Sequence, residues 1–241
     1  MDRAIVLPTL LAMALAMASC ETLDLSGLAK LDSAGGLSSS TVAKGLKEAL
    51  GKGVSRAVSS LSKKGGFYKN PGYKISTPKA LDDVSSSLKT VGLGSLVDLF
   101  EKKMNVAAEE ASASAGPVFL DAIKEMSFDD AKKILYGKDT EATDYLREHA
   151  SDKLRKLYAP IIKKNIEKVG VGKIYSDLMA KYDAIPIPFK SKPDFSLENY
   201  IMDKSLDAMF KAIAEEEGNI RKNPAARTTE LLRKVFGTAG K

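Results

Sequence analysis

The sequence of 241 residues contains one cysteine, one histidine and no tryptophan. A single cysteine excludes an intramolecular disulfide and the usual thiol-ligated zinc site. Aromatic residues make up only 7% of the chain, which argues against a surface that stacks bases or sugar rings. The lone histidine, His149, cannot form a histidine-rich metal site, so we interpret it as a surface or cap-satisfied side chain. We therefore expect no metal and no cofactor.

The short motifs of common enzyme and nucleotide sites, GxxxxGK[ST], GxSxG and HExxH, are also absent from the sequence. Acidic residues do cluster, at Glu109-Glu110, Asp129-Asp130 and Glu215–Glu217. Carboxylate catalysis needs two acids that converge from separate elements, whereas neighbouring acids on one helix point in different directions. We interpret these clusters as solvated helix faces and lean towards a protein that is not an enzyme.

The beginning of the chain has the pattern of a lipoprotein signal peptide. Ala4–Ala18 is almost wholly apolar, but it is shorter than the roughly 20 residues of a membrane-spanning helix. Small residues lead to Met17-Ala18-Ser19-Cys20, which resembles a lipobox. We therefore predict that residues 1–19 are a signal peptide and that Cys20 carries diacylglycerol and an acylated amine, which together anchor the chain to a membrane.

The residue after the cysteine indicates which membrane receives the protein. In lipoproteins of the enterobacterial type, aspartate at this position retains the protein at the inner membrane, and here the residue is Glu21. By that resemblance we expect a location in the cell envelope, at the outer membrane and facing the periplasm. Residues 20–40 are rich in serine, glycine and leucine and read as a flexible tether.

From Thr41 onwards the apolar residues recur with helical spacing, and no segment alternates for long with the period of a strand. Glycine and proline divide the pattern into segments, for example at Gly65-Gly66, Gly116-Pro117 and the proline-rich stretch 185–194. Ser127 and Asp130 have the spacing of a capping box, which predicts a helix start. The sequence thus predicts an all-α fold, a single domain of about nine helices over residues 41–237.

Charge is unevenly distributed along a chain whose formal net charge is +6. Residues 147–173 hold eight basic residues against three acids, and residues 194–217 hold seven acids against two lysines. Two complementary helix faces lying side by side would explain this pattern. A basic face in contact with anionic lipid headgroups is the alternative. Nucleic acid is not an expected partner, because a basic isoelectric point alone is a weak signal.

The last part of the sequence is the most patterned. Thr77-Pro78 and Asn223-Pro224 each predict a helix cap followed by a first helical residue, which would place Arg227 in the first turn of the last helix. A cation there is unfavourable unless it has a specific partner. Either it pairs with Glu215–Glu217 as an internal clamp, or it binds an anionic ligand or partner in a site formed by four side chains: Arg221, Arg227, Thr228 and Thr229.

Three segments of the chain carry a family resemblance. They are 45–50 (GLKEAL), 119–137 (FLDAI through MSFDDA to ILYG) and 223–237 (NPAARTTELL to VFG). In one register over roughly residues 37–237, they resemble the DUF4197 family. The resemblance implies one continuous domain in a small bacterial protein of a kind that often has a signal peptide or lipobox, and it implies no activity.

We therefore expect a periplasm-facing lipoprotein with a non-enzymatic helical domain for binding or scaffolding. Its expected partners are the membrane, through the lipid anchor at Cys20, and a protein of the envelope, and the oligomeric state is left open. One alternative is a carrier of an apolar or lipid ligand, which would need an enclosed apolar cavity. The other is a hydrolase-type enzyme, which would need Asp121, Glu217 and Arg227 to converge in a cleft.

Overall fold

The computed structural model describes residues 38–187 and 193–238, and over these residues the predicted all-α fold is confirmed. The described part of the chain contains nine α-helices and no strand. The helices are α1 (Ser39–Ser62), α2 (Asp82–Thr90), α3 (Gly94–Ser112), α4 (Gly116–Glu125), α5 (Phe128–Tyr136), α6 (Glu141–Val169), α7 (Val171–Asp183), α8 (Leu197–Lys222) and α9 (Glu230–Thr238). The predicted signal peptide and most of the predicted tether lie outside the described residues.

The core lies among the four longest helices. α6 and α8 pack along each other, α1 packs on α8, and α3 packs on α6. Their buried faces follow the apolar stripes of the sequence, such as Leu46, Leu50 and Val54 on α1. Phe119 of α4 meets Phe210 of α8 edge to face, with ring centroids 5.4 Å apart. None of the described helices combines the length and the hydropathy that crossing a membrane would require.

Two predicted helix starts are confirmed. Ser127 caps α5 with both hydrogen bonds of the capping box to Asp130. The break at Gly116 falls where α4 begins. α6 runs as one element through Pro160, so this proline does not end the helix. Gly170, with φ of 71°, ends α6 in the left-handed conformation and is followed directly by α7.

Two predicted helix starts are wrong. Thr77 makes no capping bond, and Pro78 precedes a short 3₁₀ turn, Lys79–Leu81, before α2. Asn223 does form the predicted cap, accepting from the Ala225 amide at 3.0 Å, but it begins only the 3₁₀ turn Pro224–Ala226, because α8 continues to Lys222 and leaves a tight turn between two helices. The last helix begins at Glu230, where the Thr229 hydroxyl accepts from the Leu232 amide at 3.3 Å. Arg227 therefore lies before that helix and not in its first turn.

The complementary charged segments lie side by side, as the first of the two charge interpretations predicts. Arg155 on α6 pairs with Asp203 on α8 at 2.6 Å, and Arg147 lies 3.7 Å from Asp207. The Arg147 guanidinium also lies over the Phe210 ring, 4.3 Å from its centroid. Part of the basic charge of α6 is thus compensated within the fold.

Candidate functional site

Glu217 is the central residue of the site at the end of α8. Its side chain is only 4% exposed. The carboxylate accepts hydrogen bonds from the amides of Ala142 and Thr143 at 3.0 and 2.9 Å, and from the Thr143 hydroxyl at 2.8 Å. These amides belong to the first turn of α6, where a helix lacks internal acceptors and attracts negative charge. Glu217 therefore supplies from α8 the cap that Thr140, at the N-cap position, does not provide.

Arg221 completes this buried cluster one turn further along α8. Its Nε and Nη2 atoms donate to Oε1 of Glu217 at 3.0 and 2.8 Å. Its Nη2 and Nη1 atoms also donate to the carbonyls of Ile134 and Leu135 at 2.7 and 3.3 Å. Those carbonyls lie in the last turn of α5, where the helix runs out of amide donors; the Ile134 carbonyl also accepts from the Gly137 amide at 3.3 Å. The Glu217–Arg221 pair thus joins the end of α5, the start of α6 and the body of α8.

Arg227 follows the 3₁₀ turn and folds back onto the end of α8. Its Nε atom donates to the Ile220 carbonyl at 3.1 Å and its Nη2 atom to the Arg221 carbonyl at 2.7 Å. The guanidinium lies 6.0 Å from the centroid of the Phe236 ring on α9. The predicted ion pair between Arg227 and the run Glu215–Glu217 is therefore wrong. The arginine that pairs with Glu217 is Arg221.

The four residues predicted as an anion site are only partly brought together. Arg221 and Arg227 line one cleft of about 250 Å³, whose other lining residues are Leu135, Tyr136, Gly137, Asp139 and Phe236. Thr228 and Thr229 do not line this cleft. The Thr228 hydroxyl accepts from Lys52 at 3.3 Å, and Thr229 caps α9.

The rim of the cleft carries an exposed ion pair. Lys222 lies 2.5 Å from Asp139, and both side chains are more than half exposed. The hydrogen bond from Lys222 holds the pKa of the Asp139 carboxyl below its usual range. This pair therefore brings one positive and one negative charge to the mouth of the cleft.

The residues required by the enzyme hypothesis do not converge. Asp121 lies on α4 and pairs with Lys124 at 3.1 Å. Glu217 is occupied by α6 and Arg221, and Arg227 by two carbonyls. Among the described residues no hydrogen bond or ion pair joins any two of Asp121, Glu217 and Arg227. His149 stacks on Tyr145 with centroids 4.0 Å apart, and its Nδ1 atom lies 2.9 Å from the Tyr145 carbonyl, within one helix.

The interpretation of Glu109 and Glu217 as parts of solvated helix faces is wrong. Both are buried, each with 5% of the whole residue exposed. Glu109 on α3 accepts from the amides of Phe67 and Tyr68 at 3.2 Å. Asn105, one turn earlier, donates to the Ile75 carbonyl at 2.7 Å and accepts from the Ile75 amide at 2.8 Å. The sequence does contain a signal for this burial, because Asn105 and Glu109 both lie within the apolar stripe of α3.

These features define an all-α domain in which one buried acid, Glu217, and Arg221 join the ends of helices, with a small arginine-lined cleft at that junction. A protein-family model described as "Protein of unknown function (DUF4197)" matches residues 36–237. The chain therefore belongs to the DUF4197 family, and the resemblance seen in its sequence is confirmed. No curated protein and no solved structure matches the chain.

Proposed function

We propose that this chain is a lipoprotein of the bacterial envelope whose helical domain binds or scaffolds a partner and catalyses no reaction. The observation that carries the proposal is the sequence Met17-Ala18-Ser19-Cys20 directly after an apolar run. Lipid modification needs the thiol of a cysteine and small residues before it, and this chain has its one cysteine at that position. The acyl chains would hold the domain at the membrane, since each buried methylene contributes about 0.8 kcal/mol.

The geometry of the acidic residues supports binding over catalysis. A general base needs a lone pair that is free to accept a proton from a substrate. Both oxygens of Glu217 are taken by the first turn of α6 and Arg221, and Oε1 of Glu109 accepts from two loop amides. These buried carboxylates are thus held by structural hydrogen bonds. Of the more exposed acids, Asp130, Glu141, Asp144 and Glu148 line one cleft together with His149. In that cleft Asp130 already accepts from Ser127, and Asp144 from Thr140 and Lys138.

The clefts give less support to a carrier of apolar ligands. Clefts of about 170 to 280 Å³ on the described part of the chain are lined by charged side chains. A carrier would need a larger, enclosed and mainly apolar cavity. We therefore keep binding through the surface and its small polar clefts as the proposed function.

The anchor is tested by comparing the wild-type chain with Cys20→Ala and with the matched control Ser19→Ala, which keeps a small residue before the cysteine. We expect the wild-type and Ser19→Ala chains to be in the membrane fraction, with an intact mass that shows loss of residues 1–19 and addition of three acyl chains. Cys20→Ala should retain Met1 and carry no lipid. A wild-type chain with Met1 retained, or with an unacylated amino terminus, would overturn the proposal.

The membrane and the partner are tested with the same material. In an enterobacterial host, Glu21→Asp should move the protein from the outer to the inner membrane fraction, whereas Glu21→Gln should leave it at the outer membrane. Crosslinking of the lipidated chain should capture an envelope protein that the Cys20→Ala chain does not capture. A stoichiometric lipid that copurifies with both chains would instead identify a carrier.

A further inference from the structure

Arg227 uses only one of the two edges of its guanidinium group. Each edge presents two parallel N–H donors, which is the geometry that matches a carboxylate or phosphate. The side edge, formed by Nε and Nη2, donates to the carbonyls of Ile220 and Arg221. Across residues 38–187 and 193–238, no acceptor bonds to the end edge, formed by Nη1 and the second proton of Nη2. The backbone of α8 thus fixes the orientation of the Arg227 guanidinium, and the two N–H donors of its end edge remain available.

Arg221, in the same cleft, is the internal comparison. Its side edge donates to Glu217, and its end edge donates to the Ile134 and Leu135 carbonyls. Its side chain is 11% exposed. Because both edges of Arg221 already have acceptors, this residue supports the fold and leaves little capacity for a ligand. Arg227 is therefore the residue of the pair that can bind one.

The charges around the cleft indicate what kind of anion fits. Glu217 balances Arg221, and Asp139 balances Lys222 at the rim. Within the described parts of the chain, no carboxylate lies in ion-pair contact with Arg227. The excess is one positive charge, which a carboxylate neutralises, whereas a doubly charged phosphate would place an extra negative charge beside Asp139.

Beside its charged residues the cleft offers one exposed aromatic ring. Leu135 and Phe236 lie beneath the cleft and are only 3% and 6% exposed, whereas Tyr136 lines it and is 57% exposed. An exposed aromatic ring beside an available guanidinium is a combination that binds an apolar or aromatic body next to a carboxylate. The volume of about 250 Å³ limits that body to a small group.

We propose that this cleft binds a carboxylate carried by a small apolar or aromatic group, with the carboxylate oxygens on the end edge of Arg227 and the apolar group against Tyr136. The inference rests on the proposed binding function and specifies its ligand chemistry. It does not depend on the lipid anchor.

The test uses the full chain, extracted in mild detergent and labelled with ¹⁵N-arginine, so that side-chain resonances report on each guanidinium. Sodium benzoate, sodium acetate and inorganic phosphate are added at constant ionic strength and pH 7. We expect benzoate to shift the Arg227 resonance saturably at millimolar concentration and to leave Arg221 nearly unchanged. Acetate should bind the same site more weakly, because it lacks the ring. Equal, non-saturating shifts at all arginines would overturn the proposal, and so would phosphate binding more tightly than benzoate.

Variants at Arg227 separate the contribution of its paired N–H donors to the affinity from that of its positive charge. Arg227→Gln should weaken benzoate binding roughly tenfold or more, because it removes a charge-assisted pair of hydrogen bonds. Arg227→Lys, which keeps the charge and loses the fork, should weaken it several-fold. Arg233→Gln removes an exposed arginine of α9 and should change nothing. If Arg227→Gln fails to fold, Tyr136→Ala removes an exposed side chain and should still weaken benzoate more than acetate.

The outcomes distinguish this inference from the proposed anchor. Saturable benzoate binding in a chain that retains Met1 would support the cleft and overturn the anchor. If Cys20 is processed correctly and Arg227→Gln binds benzoate with unchanged affinity, carboxylate binding at Arg227 is overturned and the lipoprotein proposal stands.

Discussion

Glu217 of α8 caps α6 through Thr143, whose amide and hydroxyl both donate to one oxygen of the Glu217 carboxylate, at 2.9 and 2.8 Å. The two residues are 74 positions apart in the sequence. The N-cap residue of α6, Thr140, makes no side-chain hydrogen bond to the first turn. The free amides of that turn instead donate to a buried acid from another helix. The same carboxylate holds Arg221, which places the candidate cleft at this junction.

We first predict that Glu217→Gln will strongly destabilise the fold. The substitution keeps the size of the side chain but removes a buried charge from Arg221 and places an amide opposite backbone donors. We expect the free energy of unfolding to fall by about 3 kcal/mol, the scale for removing one partner of a buried ion pair. Urea denaturation at pH 7 measures it.

The matched control for this prediction is Glu216→Gln, the neighbouring position on α8. Glu216 is 29% exposed and lies 3.4 Å from Arg56, so its loss should cost less than about 1 kcal/mol. Equal losses in both variants would show that the caps at α6 contribute nothing beyond surface charge.

A second prediction concerns the α5 capping box and its pH dependence. The Ser127 hydroxyl, and then its amide, donate to the Asp130 carboxylate and lower the pKa of that acid. A lowered folded-state pKa contributes stability that is present above the unfolded-state pKa of about 3.9 and is lost as pH falls through the folded-state value.

Ser127→Ala should therefore cost about 1 kcal/mol at pH 7, and the cost should shrink as pH falls below about 3.9 and then through the lowered folded-state pKa of Asp130. NMR titration of the Asp130 carboxyl should show its pKa rising towards the ordinary value in the variant. An unchanged pKa, or a cost that grows on acidification, would contradict the assignment.

A third prediction concerns the contact between α1 and α9. A Cβ atom at Gly45 would lie 2.6 Å from Cγ2 of Val235 and 3.1 Å from Cγ of Leu231. Overpacking costs about 1 to 3 kcal/mol, and the gain in helix propensity returns about 1 kcal/mol. We expect Gly45→Ala to lower the free energy of unfolding by about 1 kcal/mol, and hydrogen exchange in α9 to speed up.

Gly51→Ala on the same helix is the control, because its nearest neighbour, Cδ2 of Leu120, would lie at an ordinary 3.6 Å. This change should stabilise the protein by up to about 1 kcal/mol. Adding Val235→Ala to Gly45→Ala should restore the packing of α9. Stabilisation by Gly45→Ala itself would show that the two helices separate without cost.

A fourth prediction addresses the charged faces of α6 and α8. Arg155 and Asp203 are 49% and 48% exposed, so a double-mutant cycle with Arg155→Ala and Asp203→Ala should give a coupling of about 0.2 to 1 kcal/mol. In about 1 M salt, where the screening length is about 3 Å, the coupling should nearly vanish. A salt-insensitive coupling above 2 kcal/mol would mean that the pair organises the helix interface.

Much of the fold could be predicted from the sequence because helix formation depends on near neighbours. The spacing of Leu46, Leu50 and Val54 sets the buried face of α1, and Ser127 with Asp130 sets the start of α5 within one turn. These interactions span three or four residues, so they are visible in the sequence alone. The signal for Asn223-Pro224 misled for the same reason, because a cap followed by proline suits a 3₁₀ turn as well as an α-helix.

The candidate site could be predicted only in part. The sequence singled out Arg227 as a cation in an unusual place and Arg221 as a member of the same candidate anion site, and both line the cleft. It did not indicate that Glu217 caps α6, that the carbonyls of α5 occupy Arg221, or that Thr228 and Thr229 bond elsewhere. These are contacts between residues far apart along the chain, and no local pattern specifies which distant helix end will need a donor or an acceptor.

The sequence by itself determined that this protein is a helical domain of the DUF4197 family with its only cysteine after a short apolar run, because periodicity, caps and motif order are properties of neighbouring residues. Only the tertiary structure decided which of two similar arginines is fully used and which keeps a pair of donors available. The physical reason is that a buried hydrogen-bonding group takes its partner from whichever segment the packing of the helices brings within reach.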